Sequence, residues 1–272
     1  MHLASLNIQS LGGDTMVDLH SHIIWGIDDG SKSKEMTINM LRQAYLGGTK
    51  KLVLTPHYLP GYYVVPIDKV KERKEELETL IKEENLNIEI YLGQEVYFSS
   101  KILENLEEGL IGTIDNSKYM LIELNIKNFS LQEVTDVLYE LQLKDIVPII
   151  AHPERYNIFI KKPSLINELI DEGLLFQLNI GSLTGEFGKD VKKTAEIFLK
   201  NKIYSFIGSD AHRDENRNPD MSKGIALLKD IDKNYFEYIK DNAERVLENE
   251  EVEFIGNMIK EKKGLFNIFS RK

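Results

Sequence analysis

Seven apolar runs of strand length recur along the chain, and stretches with helical spacing separate them. The runs cover 17–22, 51–57, 88–96, 119–124, 147–152, 175–180 and 204–209, and each is rich in β-branched or aromatic residues. A strand buried on both faces reads as such a continuous run, as in a parallel sheet covered by helices. Seven of them with helical crossovers predict an α/β fold built on a parallel sheet. The 272 residues suit one barrel, which commonly takes about 250. No GxGxxG or GxxxxGK[ST] loop is present, which argues against an open nucleotide-binding sheet. With no internal repeat, low-complexity stretch or long linker, the chain reads as a single domain.

Local signals place the helices. Met36, Met40, Leu41, Ala44 and Tyr45 share one face, and Gly47-Gly48 stops that helix. Ser130 and Glu133 have capping-box spacing ahead of Leu131, Val134, Leu138 and Leu141. Ser164 precedes another apolar face, closed by Gly173, and Val191, Ala195, Phe198 and Leu199 form a further one. Helices are also expected over 67–84 and 219–249.

The chemistry concentrates at the ends of the runs. Of six histidines, five sit there: His20, His22, His57, His152 and His212. Side chains alternate along a strand, so His20 and His22 point to one side and can chelate one ion. Glu95 ends the third run, Glu123 interrupts the fourth, and Asp210 follows the seventh. Asp28-Asp29-Gly30 makes a turn after the first run, from which a carboxylate can reach the same mouth. Singly, His57 and His152 read equally well as core or capping histidines, and Asp210 as a helix N-cap. Jointly they converge, because strand ends of a barrel share one face. Imidazoles mixed with carboxylates suit Zn, Mn or Fe better than Ca or Mg alone. The donors are too many for one ion. Two dications about 3.5–4 Å apart are the usual arrangement for phosphate-ester hydrolysis, and a third has ligands to spare.

Composition removes other classes. The absence of cysteine excludes disulfides, thiolate metal sites and any phosphatase with a cysteine nucleophile. A net charge of −10 and the lack of a basic stripe weigh against nucleic acid. Against four ligand carboxylates, two dications leave the mouth neutral and three leave it net positive, which reconciles an acidic chain with an anionic substrate. No apolar run approaches the roughly 20 residues of a membrane span, and 1–15 lacks the features of a secretory signal. Met16 resembles a second start, so 1–15 reads as a leader or loose extension. The barrel is expected over 16–250 and a C-terminal helix or tail over 251–272. That tail mixes lysines with Leu265, Phe266, Ile268 and Phe269, a pattern read as a solvated or self-packed terminus rather than a membrane or partner contact.

Together the segments DLHSHIIWGIDDGSKS (18–33), LTPH (54–57), GQE (93–95), YMLIEL (119–124), LQLKDIVPIIAHPER (141–155), GSLTGEFGK (181–189) and SDAH with Arg217 resemble the PHP (polymerase and histidinol phosphatase) family. Within it the chain is most similar to the bacterial tyrosine-protein phosphatases of capsule and exopolysaccharide loci. The resemblance covers roughly 16–250 and implies a distorted (β/α)7 barrel with a trinuclear site, often holding manganese; Zn, Fe and Mg are the alternatives. Carried over, His20, His22, Glu95 and Asp210 would hold one ion. Glu95, Glu123 and His152 would hold a second, and Asp29, His57 and His212 the third. Arg155 and Arg217 would bind the phosphate as catalytic residues, a task that suits the bidentate guanidinium; salt bridges to Glu154 or Asp214 are their other reading. Many relatives carry a second histidine where Tyr58 stands, a change expected at the pocket rim.

The resemblance further implies a cytoplasmic hydrolase that removes phosphate from tyrosine by metal-activated water. Its partner would be the tail of a bacterial tyrosine autokinase, and it hints at a homo-oligomer. Tyr62 and Tyr63 are placed to line a mouth open to peptide. A small-molecule phosphatase such as histidinol phosphatase is the first alternative, and a PHP nuclease a more distant one.

Overall fold

The structure is a computed structural model that describes residues 16–260. The expected extension at 1–15 and the mixed basic and apolar part of the tail from 261 onward lie outside the described residues.

The seven runs form nine parallel strands. They are β1 (Met16–Ser21), β2 (Thr49–Leu54), β3 (His57–Tyr58), β4 (Glu89–Leu92), β5 (Glu95–Tyr97), β6 (Tyr119–Glu123), β7 (Val147–Ala151), β8 (Leu175–Asn179) and β9 (Phe206–Gly208). Two runs expected to be continuous are each split in two. The run 51–57 breaks at Thr55-Pro56, where proline has no N–H for a ladder. The run 88–96 breaks at Gly93-Gln94, where a Cβ on Gly93 would sit 2.9 Å from the Val53 side chain. The breaks divide the ladder into one sheet ordered β1-β2-β4 and another ordered β3-β5-β6-β7-β8-β9. They turn the ends of two staves inward, so that His57 and Glu95 stand side by side in register.

The two edges meet. His22 N donates to Ala211 O at 2.9 Å and Asp210 N to His20 O at 2.7 Å, which ties the chain after β9 to β1. The result is the expected distorted barrel of seven staves. Val17 and Leu19 of β1, Val53 of β2, Leu121 of β6, Ile149 of β7 and Phe206 of β9 share one apolar cluster. Two larger clusters join outer strand faces to the helices.

Capping chemistry sets the helix ends. Ser33 accepts from Met36 N to start helix Lys34–Leu46, and Gly48 lies just beyond its end at φ +99°. Ser130 accepts from Glu133 N ahead of Leu131–Gln142. The expected helix over 219–249 is two, Ser222–Ile231 and Lys233–Leu247. Asp232 breaks the first at φ −156° and caps the second through Tyr235 N. Residues 251–260 carry no helix; this stretch packs back on the domain, with the Phe254 ring edge-on to Phe176. No helix among the described residues is long and apolar enough to cross a membrane.

Candidate metal centre

The carboxyl ends of the staves bring all nine candidate ligands expected from the sequence to one mouth. His20 lies near the end of β1 and His22 just past it. Gly208 allows the approach of β9, since a Cβ there would stand 2.5 Å from that of His20. Glu123 closes β6 and His152 follows β7. His152, Asp210 and Arg217 all hold left-handed backbone, at φ +33°, +52° and +52°. Non-glycine residues rarely adopt this region, and such outliers cluster at functional sites.

Glu95 is the hub. Its Oε2 lies 3.2 Å from His20 Nε2, 3.2 Å from His22 Nε2 and 3.0 Å from His57 Nδ1. Its Oε1 is 2.9 Å from His152 Nε2. Asp210 Oδ1 stands 3.7 Å from His20 Nε2 and 3.5 Å from His22 Nε2. Asp29 Oδ1 is 3.6 Å from His57 Nε2 and 3.5 Å from His212 Nε2. Three overlapping donor groups emerge: His20-His22-Glu95, His57-Glu95-Glu123 and His22-Asp29-His57-His212. Compared with the grouping the resemblance implies, Glu95 is again shared. His22 and His57 each stand between two groups, and His152 approaches Glu123 Oε1 at 3.8 Å.

These donors fit divalent ions. His20 Nδ1 is 2.9 Å from the Gln177 Oε1 acceptor, and His22 Nδ1 is 2.7 Å from Asp28 Oδ2. An oxygen that accepts fixes the proton on Nδ1, so each Nε2 carries its lone pair into the site. Those two lone pairs face each other at 3.1 Å, with the Glu95 carboxylate beside both. Such an arrangement calls for positive charge between them. His57 Nδ1 stands 3.0 Å from Glu95 Oε2 without hydrogen-bond geometry, and it, His152 Nδ1 and Asp29 Oδ1 are buried with no hydrogen-bond partner. Electrostatics agree. Although burial opposes it, Glu95 and Asp210 raise the pKa of His20, so their carboxylates favour a cation at its Nε2. Burial, with Glu95 beside it, pushes the Glu123 carboxyl up to about 8. Burial also lowers His152 and His212 to about 4, which keeps these imidazoles in the neutral, metal-binding form.

Both arginines reach the mouth. Arg155 Nη1 and Arg217 Nη2 each lie 2.6 Å from Asp210 Oδ2. The carboxylate that both arginines meet is that of Asp210, not Glu154 or Asp214. Glu154 instead accepts from Asn179 N, Ser182 Oγ and Tyr204 Oη, while Asp214 Oδ2 accepts from Asn39. Tyr63 lines the cavity of about 430 Å³ that opens over the donors; its ring lies 6.1 Å from that of His57, at 13°. Tyr62 is 80 % exposed and does not line that cavity. Tyr58 is packed in the apolar core and does not shape the rim as expected.

Several supporting residues carry little sequence signal. Asp28 is turned behind the site, where it holds His22 and accepts from His57 N at 2.9 Å. Gln177 and Asn179 lie on β8; Asn179 Nδ2 donates to Asp210 Oδ2 at 2.8 Å. Arg213 Nη1 grips the turn through Gly30 O at 2.7 Å. The alternation of polar residues in Leu175–Asn179 is the one hint to the β8 pair.

Residues 16–248 match the family described as capsular polysaccharide synthesis, CpsB/CapC. The chain belongs to the CpsB/CapC family. It is 36 % identical over 241 residues to CapC of Staphylococcus aureus, across 87 % of this chain and 93 % of that one. It is 32 % identical over 218 residues to the tyrosine-protein phosphatase CpsB of Streptococcus pneumoniae, across 78 % and 89 %. The fold superposes with a TM-score of 0.86, at 29 % identity, on a chain from crystal structures of Bacillus subtilis YwqE and S. pneumoniae CpsB. Those proteins are described as unique metal-dependent tyrosine phosphatases, and the match covers 90 % of this chain and 100 % of that one. The CpsB/CapC assignment agrees with the resemblance to the PHP-type tyrosine-protein phosphatases of capsule loci.

Proposed function

We propose that this CpsB/CapC chain is a metal-dependent protein-tyrosine phosphatase of capsule or exopolysaccharide synthesis. Its substrate on this reading is phosphotyrosine on the tail of a bacterial tyrosine autokinase. One observation carries the reading: nine imidazole and carboxylate donors, with Glu95 as their hub, share one mouth with Arg155 and Arg217. His20, His22, Glu95 and Asp210 would hold one ion, Glu95, Glu123 and His152 a second, and Asp29, His57 and His212 a third. Mn is the favoured ion, ahead of Zn, Fe or Mg. When bound, such ions lower the pKa of water to about 7 and neutralise developing phosphoryl charge.

The chain's own residues supply the rest. Arg155 and Arg217 offer guanidinium N–H groups to the phosphoryl oxygens and stabilise them as charge builds. Asp210 orients both arginines by accepting from each. Leu59, Tyr63 and Ile126 line the same cavity and give an aryl leaving group an apolar wall. A phenol, with pKa about 10, departs more readily than an alkyl alcohol and needs less help from a protein acid. With no cysteine in the chain, no thiolate nucleophile takes part.

The alternatives are less favoured. The relatives named above are tyrosine phosphatases, which speaks against a histidinol phosphatase, and the −10 charge speaks against a nuclease. The reading places the enzyme in the cytoplasm and is compatible with a homo-oligomer. The deciding assay compares a phosphotyrosine peptide, histidinol phosphate and single-stranded DNA at equal metal loading. The peptide should turn over fastest, and faster cleavage of either other substrate would contradict the proposal.

A further inference from the structure

The segment GSLTGEFGK has no part in the chemistry so far, yet it touches both arginines. Helix Gly181–Thr184 is followed by Gly185 at φ +88° and Gly188 at φ +97°. Backbone bonds from Glu186 N to Gly181 O and from Gly188 N to Gly185 O close the loop on itself. A Cβ at Gly181 would meet the Glu186 carboxylate and lie 3.3 Å from the Phe187 ring, so this glycine leaves room for both side chains where they stand. Glu186 Oε1 in turn accepts from the backbone N of Arg217 at 2.9 Å. The loop is thereby fastened to the segment that carries Arg217.

Phe187 lies over the two guanidinium groups. Its ring centroid is 4.6 Å from Arg155 Cζ and 5.6 Å from Arg217 Cζ. The arginines come from different staves, one after β7 and one after β9. Both bond Asp210 Oδ2, Arg155 through Nη1 and Arg217 through Nη2, which also donates to Asp210 O at 3.1 Å; each guanidinium is thus held through one nitrogen, about which it can still turn. A ring face is attractive to a planar cation and restricts that rotation. The Nε of Arg217 is buried without a hydrogen-bond partner, as expected of a donor kept for an incoming anion.

We propose that Phe187 is a positioning residue: its ring aligns Arg155 and Arg217 as one phosphate-binding pair. This rests on the phosphatase reading above. It does not touch the metal ligands, so its loss should weaken phosphoryl binding without emptying the site.

The test uses the full chain loaded with Mn, a phosphotyrosine peptide as substrate and inorganic phosphate as competitive inhibitor. Phe187→Leu keeps an apolar side chain of similar bulk but removes the ring face. It should lower kcat/KM and raise the phosphate inhibition constant, each by on the order of tenfold, at unchanged metal content and melting temperature. Phe187→Tyr should restore both to near the wild-type values. Wild-type behaviour of Phe187→Leu, or equal impairment of the Leu and Tyr variants, would overturn the role of the ring. An inactive wild-type enzyme would instead overturn the phosphatase reading, and this inference with it.

Discussion

His20 and His22 turn their Nε2 atoms to within 3.1 Å of each other, each held from behind by its own acceptor. Asp28 is the acceptor behind His22, and Gln177 the one behind His20. Partners of this kind fix tautomer and ring orientation, and their loss typically weakens metal binding by about 10–100-fold. Asp28→Asn and Gln177→Ala should each weaken metal affinity within that range, measured by titration of the metal-free protein. Unchanged affinity in both would mean that the two rings are oriented by packing alone.

Glu95 approaches four imidazoles, so its loss should affect more than one ion. Glu95→Gln is expected to reduce the number of ions retained per chain and to lower kcat by at least about 10²-fold. Elemental analysis beside peptide kinetics checks this. Full metal content with normal turnover would remove Glu95 from the centre.

Arg155→Lys should separate binding of phosphate from binding of metal. A lysine keeps the charge but loses the planar fork. The expected result is a drop in kcat/KM of about 10–10³-fold, with metal stoichiometry intact. Loss of metal in this variant would instead make the contact between Arg155 and Asp210 primarily structural.

The nine donors were legible because an imidazole or carboxylate at the end of an apolar run is hard to explain otherwise. Their partition among ions was not, since it depends on which atom of His57 or Asp210 faces inward. Asp28 and Asp29 are adjacent and chemically alike. Only the turn, pinned by Arg213 and Gly30, sends one to His57 and His212 and the other behind His22. Strand breaks at Pro56 and Gly93 were hidden inside apolar runs, although they are what carry His57 and Glu95 into the mouth. Phe187 lies among glycines in a surface loop, and nothing local announces that two arginines from distant staves will meet its ring.

Glu154 offers a test through pH. Burial pushes its carboxyl from an ordinary 4.5 up to about 7. A group whose folded pKa is raised stabilises the fold fully below its unfolded pKa, and that contribution is lost as pH rises through the folded value. Glu154→Gln cannot ionise. Its melting temperature should therefore fall less than that of the wild type between about pH 5 and 8, a difference of about 1–3 kcal/mol in stability. Parallel curves for the two proteins would show that Glu154 ionises in the fold as it does in the unfolded chain.

On the proposed function, bound metal held by the nine donors at the barrel mouth is what enables hydrolysis of phosphotyrosine. The direct measurement is elemental analysis of the purified protein alongside phosphopeptide hydrolysis, with metal chelated and then with Mn restored. Two or three ions per chain are expected, with loss of hydrolysis on chelation and recovery with Mn. Full activity after complete metal removal would contradict the proposal.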